Sequence, residues 1–221
     1  MVCMTDNNSI ANNDVIAKDT WPRVCPVCFA VTLFLVVSSY YFVDIPVAIF
    51  CKQIDQNILH IFDWITEIGV STWYLVASLF FFVIFRFCRI NRVYANRALF
   101  IFAAVALSGI ATIAVKLTVA RYRPKLFFEK GLYGFDFFHV TYEYNSFPSG
   151  HVATIFSLAA AMSLFWPKYR VYFFVVAFAV ALSRIVLTSH YVSDVIAGAL
   201  IGTLTVLLLK QYTPFDASLM E

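Results

Sequence analysis

Three short stretches in the second half of the chain hold residues whose types and spacing suit phosphate chemistry. KLTVARYRP, residues 116–124, supplies Lys116 and, after six intervening residues, Arg123 ahead of Pro124. YNSFPSGHVAT, residues 144–154, places Pro148-Ser149-Gly150-His151 where a polar, aromatic loop gives way to an apolar run. SRIVLTSHYVSD, residues 183–194, contains Arg184, His190 and Asp194. Pro148 and Ser149 favour a helix start, and Gly150 lets a ligand approach the backbone. The amide groups at a helix N-terminus attract anions, phosphate above all. His190 and Asp194 are four apart and share a face on a helical turn. A carboxylate that bonds one imidazole nitrogen fixes the tautomer and leaves the other nitrogen free to act as a nucleophile.

Taken singly, each stretch has a plainer account. Lys116 is also placed to snorkel at the end of an apolar span. Pro148, Ser149 and Gly150 also read as an ordinary helix cap, although that leaves His151 unexplained. His190 beside Asp194 is also what a surface histidine near a helix start looks like. Arg184 is harder to dismiss, because an unpaired charge late in an apolar run is costly.

The elements that must position these residues follow from composition. The chain has 221 residues, of which 62% are hydrophobic and 13% charged, with 24 Phe and 12 Tyr. Soluble domains sit near half apolar and a quarter charged, so the bilayer is the indicated solvent. A span takes about 20 apolar residues. Apolar runs between charges predict about six transmembrane helices, at 24–43, 68–85, 98–115, 152–166, 171–187 and 195–209. The fold class is therefore all-α and polytopic, with residues 21–212 as one membrane domain, 1–20 a disordered tail and 213–221 a short tail. Gly198 and Gly202 make a small-xxx-small step suited to close helix packing. The segment CKQIDQNILHIFDWITEIG, residues 51–69, is amphipathic enough to lie along the membrane surface.

Lys and Arg in short loops set the orientation. Arg86, Arg89, Arg92 and Arg97 follow the second span, Lys168 and Arg170 follow the fourth, and Lys210 ends the sixth. Both termini are thus expected in the cytoplasm. The opposite side carries Asp44, Asp55, Asp63 and Glu67, with Lys52 the one basic residue of that first loop. Lys116, Arg121, Arg123, Lys125, Lys130 and Arg184 run against this trend and need a reason beyond anchoring. With six spans, the three chemical stretches all fall on the outward side, where they assemble three cations, a helix N-terminus, two histidines and a carboxylate. That combination makes a phosphate site with a nucleophile and an acid.

The pattern Lys116-x6-Arg123-Pro124, Pro148-Ser149-Gly150-His151 and Ser183-Arg184-x5-His190-x3-Asp194 resembles the type 2 phosphatidic acid phosphatase superfamily of integral membrane lipid phosphatases. The resemblance implies phosphoryl transfer without metal or other cofactor, through a phosphohistidine. His190 would attack phosphorus while Asp194 holds its ring. His151 would protonate the departing oxygen and then activate water. Lys116, Arg123 and Arg184 would bind the non-bridging oxygens, helped by Ser149 and the Gly150 amide. The expected substrate is a membrane lipid phosphate: phosphatidic acid, phosphatidylglycerol phosphate, undecaprenyl pyrophosphate or a lipid A phosphate. A bacterial inner membrane with a periplasmic site is the implied setting. Transfer to an acceptor lipid, and a non-catalytic lipid-binding or transport role, are the alternatives. The superfamily's soluble haloperoxidases do not fit this composition.

The rest of the sequence is quieter. The loop at 126–144 reads as an interfacial aromatic belt that also braces the site, and His139 within it is not assigned to catalysis. Of the five cysteines, Cys25 and Cys28 form a C-x-x-C without a second pair, so small buried hydrophobes are expected rather than a metal or redox site. A net charge of +3 gives no pointer to nucleic acid, and the oligomeric state is not encoded in any visible way.

Overall fold

The computed structural model describes residues 26–138 and 141–212. The tails expected over 1–20 and 213–221, Cys25 and His139 lie outside the described residues. Within them the protein is helical, with one isolated bridge between Arg121 and Phe135. Helix α1 (Pro26–Phe42) meets α2 (Asp44–Lys52) at a bend of 59°. Helices α3 (Gln56–Glu67) and α4 (Ser71–Val83) follow, and a π turn over Ile84–Cys88 ends the latter. Then come α5 (Arg92–Val119), the short α6 (Pro124–Lys130), α7 (Gly150–Phe165), α8 (Arg170–Val186) and α9 (Val192–Tyr212).

Four helical runs are long and apolar enough to cross a membrane: Gln56–Cys88, Arg92–Val119, Pro167–Val186 and Val192–Tyr212. The bent pair α1–α2 is a fifth if it forms one span. Helix α7, also apolar, has 16 residues, about 24 Å at 1.5 Å per residue against a hydrocarbon core of about 30 Å. All six apolar stretches read from the sequence are thus helical, and five of them at most pass as spans on length. Large apolar side chains such as Phe34, Trp73, Ile110 and Phe178 point outward, as lipid contact allows. The chain is an all-α, multi-pass membrane protein.

One segment differs from expectation. The segment expected along the surface, 51–69, is divided: its first residues end α2, and 56–67 form α3, which together with α4 makes a run, Gln56–Cys88, long and apolar enough to cross a membrane. Turn bonds from Ile68, Gly69 and Val70 back to Ile65, Thr66 and Glu67 join the two helices. The Asp55 side chain caps its start by accepting from the Asn57 amide at 2.8 Å.

The core is built around α7. Twelve of its residues are buried, with Val152, Ile155, Phe156 and Ala159 packed against Ala177, Val180 and Ala181 of α8 and Val195 of α9. Helix α9 approaches α7 through Gly198 and Gly202. A Cβ on Gly198 would lie 2.6 Å from the Ser149 carbonyl oxygen, and one on Gly202 would collide with that of Ala153. The small-xxx-small step therefore lets two backbones touch, next to the motif that starts α7. Antiparallel packing gathers the end of α5, the start of α7, the end of α8 and the start of α9 at one end of the bundle.

Gly202→Ala should destabilise the detergent-solubilised protein by about 1–3 kcal/mol, the usual cost of overpacking. Gly109→Ala, where an added Cβ meets nothing within 4 Å, should be neutral or slightly stabilising. Thermal unfolding of the two variants side by side checks this, and equal midpoints would show that the α7–α9 contact is not tight.

Candidate active site

At that end of the bundle a cavity of about 470 Å³ is lined by Lys116, Arg123, Gly150, His151, Arg184 and His190, together with Ile113, Leu117, Tyr142 and Asn145. Six of the eight residues singled out by the sequence thus face one space. The other two, Ser149 and Asp194, are fully buried behind it.

Each cation is held by neutral oxygens. Lys116, in the last turn of α5, donates to the Asn145 carbonyl at 2.8 Å. Arg123 donates to the carbonyls of Tyr142 (2.9 Å), Ser189 (3.0 Å) and Asn145 (3.2 Å). Its guanidinium centre lies 3.9 Å from the centre of the Tyr142 ring. A guanidinium has five N–H donors, so three are spent on orientation and two remain. Arg184, at the end of α8, donates to the Thr66 hydroxyl at 2.7 Å, while its Nε is buried with no partner among the described residues. Burial lowers the Arg123 guanidinium from its ordinary range, with Tyr142 and Asp194 acting in the opposite sense. Among the described residues, no cluster of three or more His, Cys, Asp or Glu is placed to hold a metal ion; the charge on the cavity wall is that of these three side chains.

The start of α7 supplies backbone donors. Ser149 sits at the cap position, but its hydroxyl makes no cap bond and is buried without a partner among the described residues. Its amide instead donates to the Asp194 carbonyl at 3.0 Å, tying the start of α7 to that of α9. A Cβ on Gly150 would meet only a Thr112 methyl at 3.9 Å, so protein packing does not demand a glycine there. The open side faces the cavity.

His190 and Asp194 are not a surface pair: they are 4% and 0% exposed. Nor do they lie one turn apart within a helix. His190 precedes α9, its amide and that of Ser189 both folding back onto the Arg184 carbonyl at 3.2 and 3.1 Å. Its Nδ1 lies 3.7 Å from Asp194 Oδ2 and 3.5 Å from Ser146 Oγ. The same Oδ2 accepts from Ser146 Oγ and from the Tyr191 amide at 2.9 Å. With Nδ1 turned to the carboxylate, Nε2 is the nitrogen left for chemistry. Burial, and after it the charges of Arg123 and Lys116, hold the imidazole well below the ordinary histidine range, against the opposing pull of Asp194.

Several neighbours were invisible in the sequence. Thr66 and Gly69, from the α3–α4 junction, reach the site from far away in the sequence: Thr66 holds Arg184, and a Cβ on Gly69 would press on His151 Cβ at 3.0 Å. Asn145 and Tyr142 orient the cations, and Ser146 orients Asp194. Arg121 is completely buried, paired to Asp194 at 2.5 Å and to Asp44 at 2.7 Å. Asp44 is therefore not the outward loop charge that the charge pattern suggested. The one available signal was that Arg121 opposes the positive-inside trend.

With this geometry in view, comparison with known proteins gives a consistent answer. The model of the PAP2 superfamily matches residues 97–217. The chain belongs to the PAP2 superfamily. It is 30% identical over 185 residues to a lipid A 1-phosphatase of Rhizobium johnstonii, covering 79% of this chain and 75% of that protein. The crystal structure of LpxE from Aquifex aeolicus superposes with a TM-score of 0.59 at 20% identity, over 76% of this chain and 95% of that one. A PAP2-type phosphatidylglycerolphosphate phosphatase of Bacillus subtilis gives 0.57 at 19% identity, over 85% and 96%. This PAP2 protein is a membrane phosphatase acting on phosphoric monoesters. The family match begins at Arg97, so Asp44, Thr66 and Gly69 contribute from outside it.

Two outcomes follow from the site. In an NMR titration of histidine-labelled protein, His190 should stay neutral at about pH 6.5, where an unperturbed histidine is half protonated; half-protonation there would contradict the burial argument. Gly69→Ala should lower phosphate release by up to about 100-fold through displacement of His151, with the helical circular dichroism unchanged. Wild-type turnover in that variant would show that His151 has room to move.

Proposed function

We propose that this PAP2 protein removes phosphate from a membrane lipid through a phosphohistidine at His190. The observation that carries the reading is the single cavity in which His151, His190, three cations and a helix N-terminus converge, with Asp194 directly behind. Bound phosphate oxygens would face Lys116, Arg123, Arg184 and the first amides of α7. Ser149 supports this cradle through the α7 cap position. His190 Nε2 attacks phosphorus, and the bond to the lipid oxygen breaks as His151 gives that oxygen a proton. Neutral His151 then takes a proton from water, whose oxygen attacks phosphorus and displaces His190, and inorganic phosphate leaves. Phosphoryl transfer asks a protein mainly for positioning and charge stabilisation, and a well-placed general acid adds typically about 10²–10⁴-fold.

The substrate reading rests on the surroundings. Ile113 and Leu117 line the cavity and also face outward from α5, so one wall is shared with the acyl region. A lipid can thus present its phosphate while its chains stay in the bilayer. Of phosphatidic acid, phosphatidylglycerol phosphate, undecaprenyl pyrophosphate and lipid A, the relatives similar over most of the chain favour lipid A 1-phosphate. Orientation follows from Arg86, Arg89, Arg92, Lys168, Arg170 and Lys210, which belong to the opposite end of the bundle and mark the cytoplasmic side. The cavity then opens to the periplasm of a bacterial inner membrane, with both termini in the cytoplasm.

The test is release of inorganic phosphate by detergent-purified protein from each of these four lipids, with chelator present and His190→Ala and His151→Ala alongside. Release that survives chelator, is highest on lipid A and vanishes in both variants supports the proposal. Near-normal turnover by His190→Ala would sink the phosphohistidine step. Label arriving on an added acceptor lipid, with none released, would make the protein a phosphotransferase. Binding without turnover in wild type would leave a lipid-binding protein.

A further inference from the structure

Behind the cavity lies a second charged cluster, in which Arg121 and Asp44, at no named motif position, join Asp194. Arg121 Nη1 donates to Asp194 Oδ1 and Ser193 Oγ (2.7 Å), and Nη2 to Asp44 Oδ2 (2.7 Å) and the Tyr133 hydroxyl (3.0 Å). Four rings surround the guanidinium, with centres between 4.4 and 5.5 Å away: Tyr191, Tyr40, Tyr133 and Phe135. Asp44 stands at the bend between α1 and α2. Its Oδ1 accepts from the Ser193 amide at 2.9 Å, in the first turn of α9, and its Oδ2 accepts from the Ser193 hydroxyl. One arginine therefore bridges a carboxylate of the bent helix pair to the carboxylate behind His190.

We propose that Arg121 and Asp44 are positioning residues for the reaction: Asp44 anchors Arg121, and Arg121 occupies one oxygen of Asp194 so that the other stays beneath His190. A carboxylate has a broad, roughly two-fold preference about its last torsion. Without a partner on Oδ1, Asp194 is held through Oδ2 alone, by the Ser146 hydroxyl and the Tyr191 amide, and its orientation beneath the imidazole loosens. The tie through Ser193 also fixes where α9 starts, and with it the Asp194 carbonyl that holds the Ser149 amide. The assignment rests on His190 as the nucleophile, yet its electrical consequence can be read without turnover.

The groups that face this machinery are all identifiable. His190 is faced by Asp194 of α9, Lys116 of α5 and Arg123 of the loop, and shares its cavity with Arg184 of α8 and His151 of α7. Arg121 is faced by Asp194, Asp44 of α2 and Tyr133, with Tyr191 against its face. In the wild type, one arginine charge is shared by two carboxylates. Asp44→Asn leaves Arg121 to Asp194 alone, which weakens the pull of Asp194 on a protonated His190. Asp44→Asn with Arg121→Gln leaves Asp194 uncompensated beside His190. The two variants should move the His190 titration in opposite directions, down and up.

The experiment is an NMR titration of histidine-labelled, detergent-purified protein, wild type against both variants, with lipid phosphate release measured in parallel. The expected result is a titration below wild type for Asp44→Asn and above it for the double variant. In both, kcat should fall on the order of tenfold or more with KM within about twofold. Arg121→Lys in place of Gln should bring the titration back toward wild type while kcat stays low, because an ammonium restores charge without the two-carboxylate fork. A purely structural role would loosen the variants without this opposed shift. Shifts in the same direction, or folded Asp44→Asn with unchanged titration and kcat, would overturn the proposal. If the double variant does not fold, the near-isosteric Asp44→Asn decides alone. Absence of phosphate release by the wild type would count against the substrate reading and leave the titrations to decide this one.

Discussion

Arg121 is fully enclosed, and its charge is answered by protein groups rather than by bulk solvent. Asp44 and Asp194 supply the counter-charge and the rings of Tyr40, Tyr133, Phe135 and Tyr191 its walls. Removing one partner from a buried ion pair costs about 3–5 kcal/mol, because the remaining charge is left uncompensated. The arrangement therefore acts as a constraint on geometry more than as a source of net stability. The bend between α1 and α2, the loop after α5 and the first turn of α9 are fixed relative to one another. The loop backbone follows suit: Arg121 accepts from the Ser146 amide, and Ala120 from that of Asp136. That sets Ser146, and through it Asp194 and His190.

A second constraint works in the cavity. Lys116, Arg123 and Arg184 line the cavity, no carboxylate is among its described lining residues, and like charges in a poorly solvated space repel. Carbonyls of Tyr142, Asn145 and Ser189 and the Thr66 hydroxyl hold them in place. Neutral oxygens orient a cation without cancelling its charge. The result is a pre-set positive surface whose repulsion is relieved only when an anion enters, the condition under which electrostatic stabilisation costs no reorganisation. Asp194 is kept out of this space: Arg121 takes one of its oxygens, while Ser146 and the Tyr191 amide take the other.

How far this could be read from sequence divides along physical lines. The apolar runs declared the helices, because a bilayer permits few ways of satisfying backbone groups. Lys116, Arg123, Gly150, His151, Arg184 and His190 were legible because charges and histidines beside apolar spans are costly and demand a reason. Thr66, Gly69 and Asp44 were not legible. A threonine and a glycine at a helix junction carry no such cost, and Asp44 looked like one more loop acid. Their roles depend on tertiary approach: Gly69 because His151 packs against it, Asp44 because the chain bends 59° there. Arg121 fell between, flagged by its charge but with partners no local pattern could name. The amphipathic stretch at 51–69 was legible as such, but not that Thr66 within it turns towards α8, where its hydroxyl accepts from Arg184.

The helices around the cavity differ in length. Helix α5 runs for 28 residues and α9 for 21, while α7 between them has 16. At about 1.5 Å per residue, α7 falls some 18 Å short of α5. Its first residues, Gly150 and His151, are part-buried and line the cavity together with Lys116 and Arg123. A part-buried helix N-terminus is a better anion site than an exposed one, since water screens its partial charge less there. The close step at Gly198 and Gly202 holds α9 against this short helix, and the amide of Ser149 bonded to the Asp194 carbonyl joins their ends. Packing between two helix backbones thus sets how near Asp194, and the His190 beside it, stand to the start of α7, and the site inherits its dimensions from the bundle.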